Sequence, residues 1–252
     1  MTETSTQHLK LLPFFGLLLI VAGLFAGCAD IGSLTDIVGS STTTNLTKDF
    51  KDFDKVRISH GFAGEIRAGK EFSVQLEVSE NLVKHLLTEV VENELRIGLK
   101  PGISASNATL KLTITMPTLT SLNASGGSRL VVAGFQSADK NLALDGSGGS
   151  TFELDVTGKD VQIGLSGGSD VRGKLTATSV DMELSGGSKA ILTGSADTLL
   201  LKGSGGSSFK LSGFSVKEAT VDFSGGSTAE LSAGKVNEKS LSGGSSYNNK
   251  KE

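Results

Sequence analysis

Cysteine, tryptophan and tyrosine are scarce in this chain of 252 residues, which has one cysteine, one tyrosine and no tryptophan. A single cysteine cannot form a disulfide within the chain. Nucleic-acid binding is disfavoured, because the formal net charge is -3 and almost no large aromatic rings are present for base stacking. The same scarcity argues against a sugar-binding platform made of exposed aromatic rings.

Residues that bind metals or activate nucleophiles are also few. The three histidines are His8, His60 and His85, and none has a second histidine or a cysteine at ligand spacing. Serines are numerous, but a repeat explains them, so no Ser-His-Asp set can be assigned. We therefore predict no catalytic, cofactor-binding or metal-binding residues and no cofactor.

A tetrapeptide, Ser-Gly-Gly-Ser, occurs seven times in the second half of the chain. Its copies begin at Ser125, Ser147, Ser166, Ser185, Ser204, Ser224 and Ser242. The spacings are 18 to 22 residues, so one unit of about 19 residues recurs. A repeat of this length predicts a solenoid.

Apolar and polar residues alternate on both sides of the tetrapeptide. Val161, Ile163 and Leu165 precede one copy, and Phe209 and Leu211 follow another. This alternation predicts short strands with one buried face. Two strands and two bends in about 19 residues leave no room for a helix, which favours a parallel β-helix.

The outward positions give an independent test of the strand register. Glu183, Lys202 and Asp222 occupy the same position in consecutive units, and so do Glu153 and Arg172. Opposite charges would then stack about 4.8 Å apart along the outer faces. The paired glycines are typical of corners where the backbone takes positive φ.

An apolar run at residues 11–26 ends immediately before Gly27 and Cys28. A membrane-spanning anchor is one interpretation, because a run of roughly 17 residues is the lower limit for crossing a bilayer. We favour a signal peptide over residues 1–27. Ala26, Gly27 and Cys28 resemble the bacterial lipobox, although Phe25 stands where leucine is usual. The resemblance implies a lipid on Cys28, with a bacterial membrane as partner and an extracytoplasmic location.

The remaining chain divides into four parts. Residues 28–45 are rich in serine, threonine and glycine and predict a flexible tether. Residues 46–120 alternate without the tetrapeptide and predict an N-terminal β-rich cap or wider initial turns, with a short helix at 81–87 and Asn81 as its N-cap. Residues 121–246 hold the solenoid repeats, and a polar tail at 247–252 would seal the open end.

The sequence as a whole resembles the bacterial head GIN domain, known as a putative autotransporter adhesin. The resemblance rests on FDKVRI at 53–58, ENLV at 80–83, TEV at 88–90, LRI at 95–97 and the downstream repeats. It implies an all-β fold, a right-handed parallel β-helix, in an extracytoplasmic location. It implies no established activity.

These observations favour a membrane-anchored, extracytoplasmic solenoid that acts as an adhesion or scaffold module, not an enzyme. Its partner would be an envelope or surface polysaccharide or a protein. The alternatives are an envelope-stress signalling accessory and a polysaccharide-active lyase or hydrolase, because such enzymes use clustered carboxylates. Asp181 and Glu183 on one strand, and Glu153 and Asp155 on another, are the candidate carboxylates for that chemistry.

Overall fold

The computed structural model describes residues 34–250, so Cys28 and the predicted signal peptide lie outside the described residues. The fold is nearly all-β, with 65% strand and 3% helix. Its strands stack as parallel coils of a β-solenoid with about seven turns of about 20 residues each. The all-β solenoid predicted from the repeat is therefore confirmed.

The N-terminal part carries the strands that precede the tetrapeptide repeats. They are β1 (Thr35–Val38), β2 (Thr43–Lys48), β3 (Lys55–Ile58), β4 (Ala63–Ala68), β5 (Ser73–Ser79), β6 (Leu86–Val91), β7 (Glu94–Leu99), β8 (Ile103–Ser106) and β9 (Leu110–Met116). A 3-10 helix, Glu80–His85, lies between β5 and β6.

The repeats form the later strands, and the last long ones run through a bend into the next coil. They are β10 (Ser121–Ala124), β11 (Arg129–Gln136), β12 (Leu142–Gly146), β13 (Thr151–Thr157), β14 (Asp160–Leu165), β15 (Asp170–Thr176), β16 (Ser179–Leu184), β17 (Lys189–Gly203), β18 (Ser208–Phe223), β19 (Thr228–Leu241) and β20 (Ser246–Asn249).

Each coil contributes one strand before its glycine corner and one after it, and these form two parallel ladders. The first ladder runs from β7 through β3, β10, β12, β14 and β16 into the later halves of β17, β18 and β19. The second runs from β9 through β4, β11, β13 and β15 into the earlier halves of the same long strands and ends at β20.

The coil formed by β3 and β4 is inserted between strands that follow it in the sequence. β3 pairs with β7 on one side and with β10 on the other. β4 likewise lies between β9 and β11. The order of coils in space therefore differs from the order in the chain at this end of the stack.

Antiparallel strands extend both ladders at the same end. β5 pairs with β9, and β2 pairs with β5, so the second ladder continues by two strands. β6 pairs antiparallel with β7 and extends the first ladder by one. We call the antiparallel strands β2, β5 and β6 the N-terminal cap.

The tether predicted for residues 28–45 is wrong over its described part. β1 pairs with β8 in a small parallel sheet, and β2 joins β5 over Thr43–Lys48. The fully buried Ser79 donates its hydroxyl to the Ser40 carbonyl and accepts the Thr109 backbone N–H. Polar side chains thus fix a segment whose composition alone indicates a linker.

Asn81 does not cap the short helix. Its side chain accepts the backbone N–H of Ser40 at 2.9 Å and donates to the Val38 carbonyl at 2.8 Å. The N-cap position belongs to Ser79, which makes no side-chain capping bond. Asn81 instead connects the helix to the segment between β1 and β2.

The tetrapeptide corners have one repeated geometry. Both glycines have positive φ in every copy, as at Gly186 (61°) and Gly187 (78°). The last serine donates its hydroxyl to the carbonyl oxygen of the first at 2.7 to 2.9 Å in all seven copies. These hydroxyl bonds therefore connect the two ends of each corner.

The core lies between the two ladders and runs along the described stack. Ile163, which the sequence placed inside, is 1% exposed, and Leu201, at the equivalent position of a later unit, is 0% exposed. The predicted outward register is also confirmed, because Glu183 lies opposite Lys202 and Glu153 lies opposite Arg172. Burial of alternate apolar side chains along every coil provides the main stabilisation of the fold.

Residues 247–249 of the polar tail, which the sequence predicts to seal the open end of the stack, belong to the last strand, β20. β20 pairs with the start of β19, and the Asn249 side chain both accepts from the Ala233 N–H and donates to the Ala233 carbonyl, each at 3.0 Å.

Within residues 34–250, no helix has the length and apolar character needed to cross a membrane.

Candidate functional site

An extended groove crosses the outer face of the second ladder near the N-terminal cap. It has a volume of about 680 Å³ and is lined by residues of β2, β5, β9, β4, β11, β13 and β15, in that spatial order. Seven adjacent strands at about 4.8 Å spacing span about 29 Å. We call this surface the cap groove.

Small residues of β4 form the floor of the cap groove. Ala63 lies between Lys111 of β9 and Arg129 of β11 in the strand register. The side chain of Ala63 is a single methyl group, far shorter than those of Lys111 and Arg129. The two longer neighbours therefore stand on either side of a depression.

Most charged side chains of the cap groove are neutralised by nearby partners. Lys111 lies 3.1 Å from Glu77, and Arg172 lies 3.7 Å from Glu153. The lining Glu65 faces Arg67 at 3.7 Å. Because of these pairs, Lys111, Arg172 and Glu65 add little net charge to the groove.

Arg129 differs from the other cations of the groove. It is exposed and, within residues 34–250, has neither an ion pair nor a side-chain hydrogen bond. Its register neighbours are Ala63 and Thr151, and neither carries a charge. The guanidinium is thus the one lining cation without a carboxylate partner in the described part of the chain.

Neutral polar side chains occur along the cap groove, and one of them, Thr151, lies directly beside Arg129. Among the described residues, five of them line the groove and make no hydrogen bond through their side chains, and they are Asn45, Thr47, Gln75, Thr113 and Thr151. Amides and hydroxyls both donate and accept. The groove therefore presents a set of hydrogen-bonding groups that the fold itself does not use.

A smaller groove of about 400 Å³ lies on the outer face of the first ladder. Its polar groups are largely committed to the protein, since Arg57 bonds Glu94 at 2.9 and 3.0 Å and Asn123 donates to Ser121. Burial raises the pKa of the lining Asp145 above its ordinary value, and the charge of Arg57 opposes this shift. This contrast favours the cap groove as the binding surface.

The candidate catalytic carboxylates do not form a cluster. Glu183 lies 3.9 Å from Lys202 and belongs to the first ladder, whereas Glu153 pairs with Arg172 on the second. Asp181 lies opposite Gln162 and Leu200 in the strand register, and Asp155 is exposed on β13. Only Glu153 of these four lines the cap groove.

His60 has a structural position, and His85 is the last residue of the 3-10 helix. His60 occupies the corner between β3 and β4 with a φ of 63°, and its Nδ1 lies 2.7 Å from the Ser59 hydroxyl and accepts the Leu99 N–H. Burial lowers the pKa of His60. No group of three or more potential metal ligands occurs within residues 34–250.

Sequence reasoning did not find Arg129, Ala63 or the cap groove. Arg129 directly follows a tetrapeptide, and in the later units the same position carries threonine, aspartate, lysine or serine. The available signal was therefore the one arginine that directly follows a tetrapeptide. Arg129 has no charged neighbour on one side because Ala63 of β4 lies there, and β4 is more than 50 residues away from Arg129 in the sequence.

A family model described as putative auto-transporter adhesin, head GIN domain, matches residues 52–251. The chain belongs to this family. The match covers both the N-terminal coil and all the repeats, and it confirms the family resemblance of the sequence. The head GIN domain family is named for adhesins, not for an enzymatic activity. No curated protein matches the chain.

Solved structures share the fold of this head GIN domain protein. A putative lipid binding protein from Parabacteroides distasonis matches with a TM-score of 0.78 at 15% identity, covering 85% of this chain and 99% of its own. A putative adhesin from Parabacteroides merdae matches with a TM-score of 0.74 at 13% identity, and the match covers 84% of this chain and 98% of the adhesin. A putative adhesin from Bacteroides fragilis matches with a TM-score of 0.69 at 17% identity, and the match covers 84% of this chain and 99% of the adhesin. At these identities the likeness concerns the fold alone.

Proposed function

We propose that this head GIN domain protein is an adhesion-type module at the bacterial cell envelope, which binds an envelope or surface polymer through the cap groove. The observation that carries this proposal is the set of groove side chains with no partners within residues 34–250. Such groups satisfy their hydrogen bonds with water, and a ligand can replace that water. The family name is consistent with a surface role.

The proposal includes an extracytoplasmic location, with the protein held by a lipid on Cys28. It is supported by the apolar run at 11–26 and by the lipobox resemblance of Ala26, Gly27 and Cys28. Several acyl chains on one residue would hold the protein stably at a membrane. Labelled palmitate should enter the wild-type chain, whereas Cys28→Ser should lose the label and leave the membrane fraction.

A lipid ligand fits the cap groove less well than a polymer rich in hydroxyls. Val131, 42% exposed, is the only large apolar side chain of the described groove lining that is exposed. Leu112 and Leu130 lie beneath the surface at 3% and 1% exposure. The lipid-binding name of the Parabacteroides distasonis neighbour therefore does not guide our proposal.

Binding of the full chain in detergent micelles to intact cells and to a panel of envelope and surface polysaccharides tests the proposal. We expect retention without new reducing ends. If no cell or polymer retains the protein, the adhesion function is wrong. If reducing ends appear and the double variant Asp181→Asn and Glu183→Gln abolishes them, the protein is a polysaccharide-active enzyme instead.

A further inference from the structure

We infer that the cap groove binds a polysaccharide that carries carboxylates, with Arg129 as the contact for a carboxylate group. This inference rests on the proposed function and specifies its ligand class. The first argument is the length of the groove. A surface that spans about 29 Å across seven strands accommodates several sugar units of an extended chain rather than one small molecule.

The charge of the groove points to an anionic ligand whose negative charges are few and well separated. Lys111 and Arg172 are paired with Glu77 and Glu153, so their charges are already balanced. Arg129 presents a planar fork of donors that matches a carboxylate in bidentate geometry. One unpaired cation among neutral groups suits a polymer with separated carboxylates, whereas a densely charged polyanion would need several.

The neutral side chains indicate that the rest of the ligand consists of hydroxyl groups. Thr113 of β9 lies opposite Glu65 of β4, and Thr151 of β13 lies opposite Arg129. Asn45 and Gln75 extend the same surface toward the cap. Amide and hydroxyl groups satisfy the donor and acceptor pattern of sugar hydroxyls without needing aromatic rings.

An acidic peptide fits this surface less well. Peptides commonly bind to a sheet by adding a strand to its edge. The strands that form the middle of the cap groove, β9, β4, β11 and β13, are paired on both sides. The middle of the groove, around Arg129, thus offers side chains on a face rather than free backbone groups on an edge.

The experiment compares two probes, polygalacturonate and the same polymer after chemical reduction of its carboxyl groups, which turns each carboxylate into a neutral hydroxymethyl group. Binding of the full chain is measured by calorimetry at low ionic strength. The wild-type protein should bind polygalacturonate at least about tenfold more tightly than the reduced polymer, because a bidentate charged pair is lost. Added salt should weaken only the binding of the charged polymer.

Three variants separate charge, shape and general surface effects. Arg129→Gln should lose about tenfold in affinity for polygalacturonate and should no longer distinguish the two polymers. Ala63→Leu fills the floor and should weaken the binding of both polymers. Lys174→Gln removes an exposed cation of β15 that does not line the groove, and should bind within about twofold of wild type. Melting curves of all three establish that each variant is folded.

The results distinguish this inference from the proposed function. If Arg129→Gln binds like wild type, or if the wild-type protein does not distinguish the two polymers, the carboxylate contact is wrong. If neither polymer binds but cells or other polymers retain the wild-type chain, the ligand class is wrong and the adhesion proposal stands. If nothing retains the wild-type chain, both are wrong.

Discussion

The buried hydroxyl of Ser169 donates to the carbonyl oxygen of Ser166 across two glycines, at a distance of 2.8 Å. The same oxygen of Ser169 also accepts the backbone N–H of Ser150 from the preceding coil at 3.2 Å. The last serine of this corner therefore satisfies a backbone carbonyl in its own coil and an amide in the neighbouring coil. The exposed side chain of Ser166 does neither.

The two serines of one corner should thus differ in their effect on stability. Ser169→Ala removes a buried hydrogen-bonding group and should lower the free energy of unfolding by about 1–2 kcal/mol. Ser166→Ala should change it by less than about 0.5 kcal/mol, as is usual for an exposed side chain. Urea denaturation followed by circular dichroism measures both, and equal effects would contradict the assigned roles.

The two glycines of a corner should also respond differently. At Gly186 a Cβ would lie 3.0 Å from the backbone nitrogen of Gly167 in the preceding coil, whereas at Gly187 it would meet nothing within 4 Å. Both residues have positive φ, so each alanine variant carries a conformational cost of about 1–2 kcal/mol. Gly186→Ala should add a steric cost, and thermal melting should show the lower midpoint for this variant. A lower midpoint for Gly187→Ala would exclude close coil contact as the cause.

Two adjacent residues of β17 test the inward and outward register. Leu201 is fully buried, and Leu201→Ala should lower the free energy of unfolding by about 2–5 kcal/mol through lost burial and a cavity. Lys202 makes an exposed pair with Glu183, and Lys202→Ala should cost less than about 1 kcal/mol. The register would be refuted by chemical denaturation curves in which the lysine variant is the less stable one.

Glu94 should contribute a pH-dependent part of the stability. Burial of its carboxylate raises the pKa, but hydrogen bonds and charges from Arg57 and Arg96 outweigh this and hold the pKa below its ordinary value. A carboxyl group with a lowered pKa in the folded state stabilises the protein above its unfolded pKa of about 4.3. This stabilisation is lost as the pH falls through the lower pKa of the folded state.

Denaturation midpoints between neutral pH and the acid range measure this contribution. Glu94→Gln should be less stable than wild type at neutral pH and should lose less stability on acidification. Glu89→Gln is the matched control, because Glu89 lies 4.0 Å from the same Arg96 but is far more exposed. Identical pH profiles for wild type and Glu94→Gln would show that the carboxylate does not contribute in this way.

The repeat made the solenoid and its register predictable because the relevant interactions connect equivalent positions of neighbouring units. Glu183 and Lys202 are 19 positions apart, and one period of the sequence places them opposite each other. The same reasoning placed Ile163 inside the stack. Local alternation and a constant period are sufficient for such inferences.

The cap and the groove could not be predicted in the same way. Their pairings connect segments with no shared period, such as β4 with β11 and β2 with β5. The polar composition of residues 28–45 indicates a tether, yet contacts to Ser79 and Asn81 order its described part. Likewise, the repeat period places Thr151 beside Arg129, but nothing in the sequence around Arg129 reveals that its other neighbour is Ala63.

The insertion of the β3–β4 coil has a consequence for the order in which the chain can be completed during synthesis or export. Val56 and Ile66 emerge early, but Val56 lies between Leu95 and Leu122, and Ile66 lies between Ile114 and Val132. Both residues are fully buried in the finished protein. Until residues of β11 have left the ribosome or translocon, one side of the β3–β4 coil has no neighbouring strands to pack against. The earliest coil of the chain can therefore be buried on both sides only after later coils have formed. Each subsequent coil, by contrast, can add to a surface that already exists.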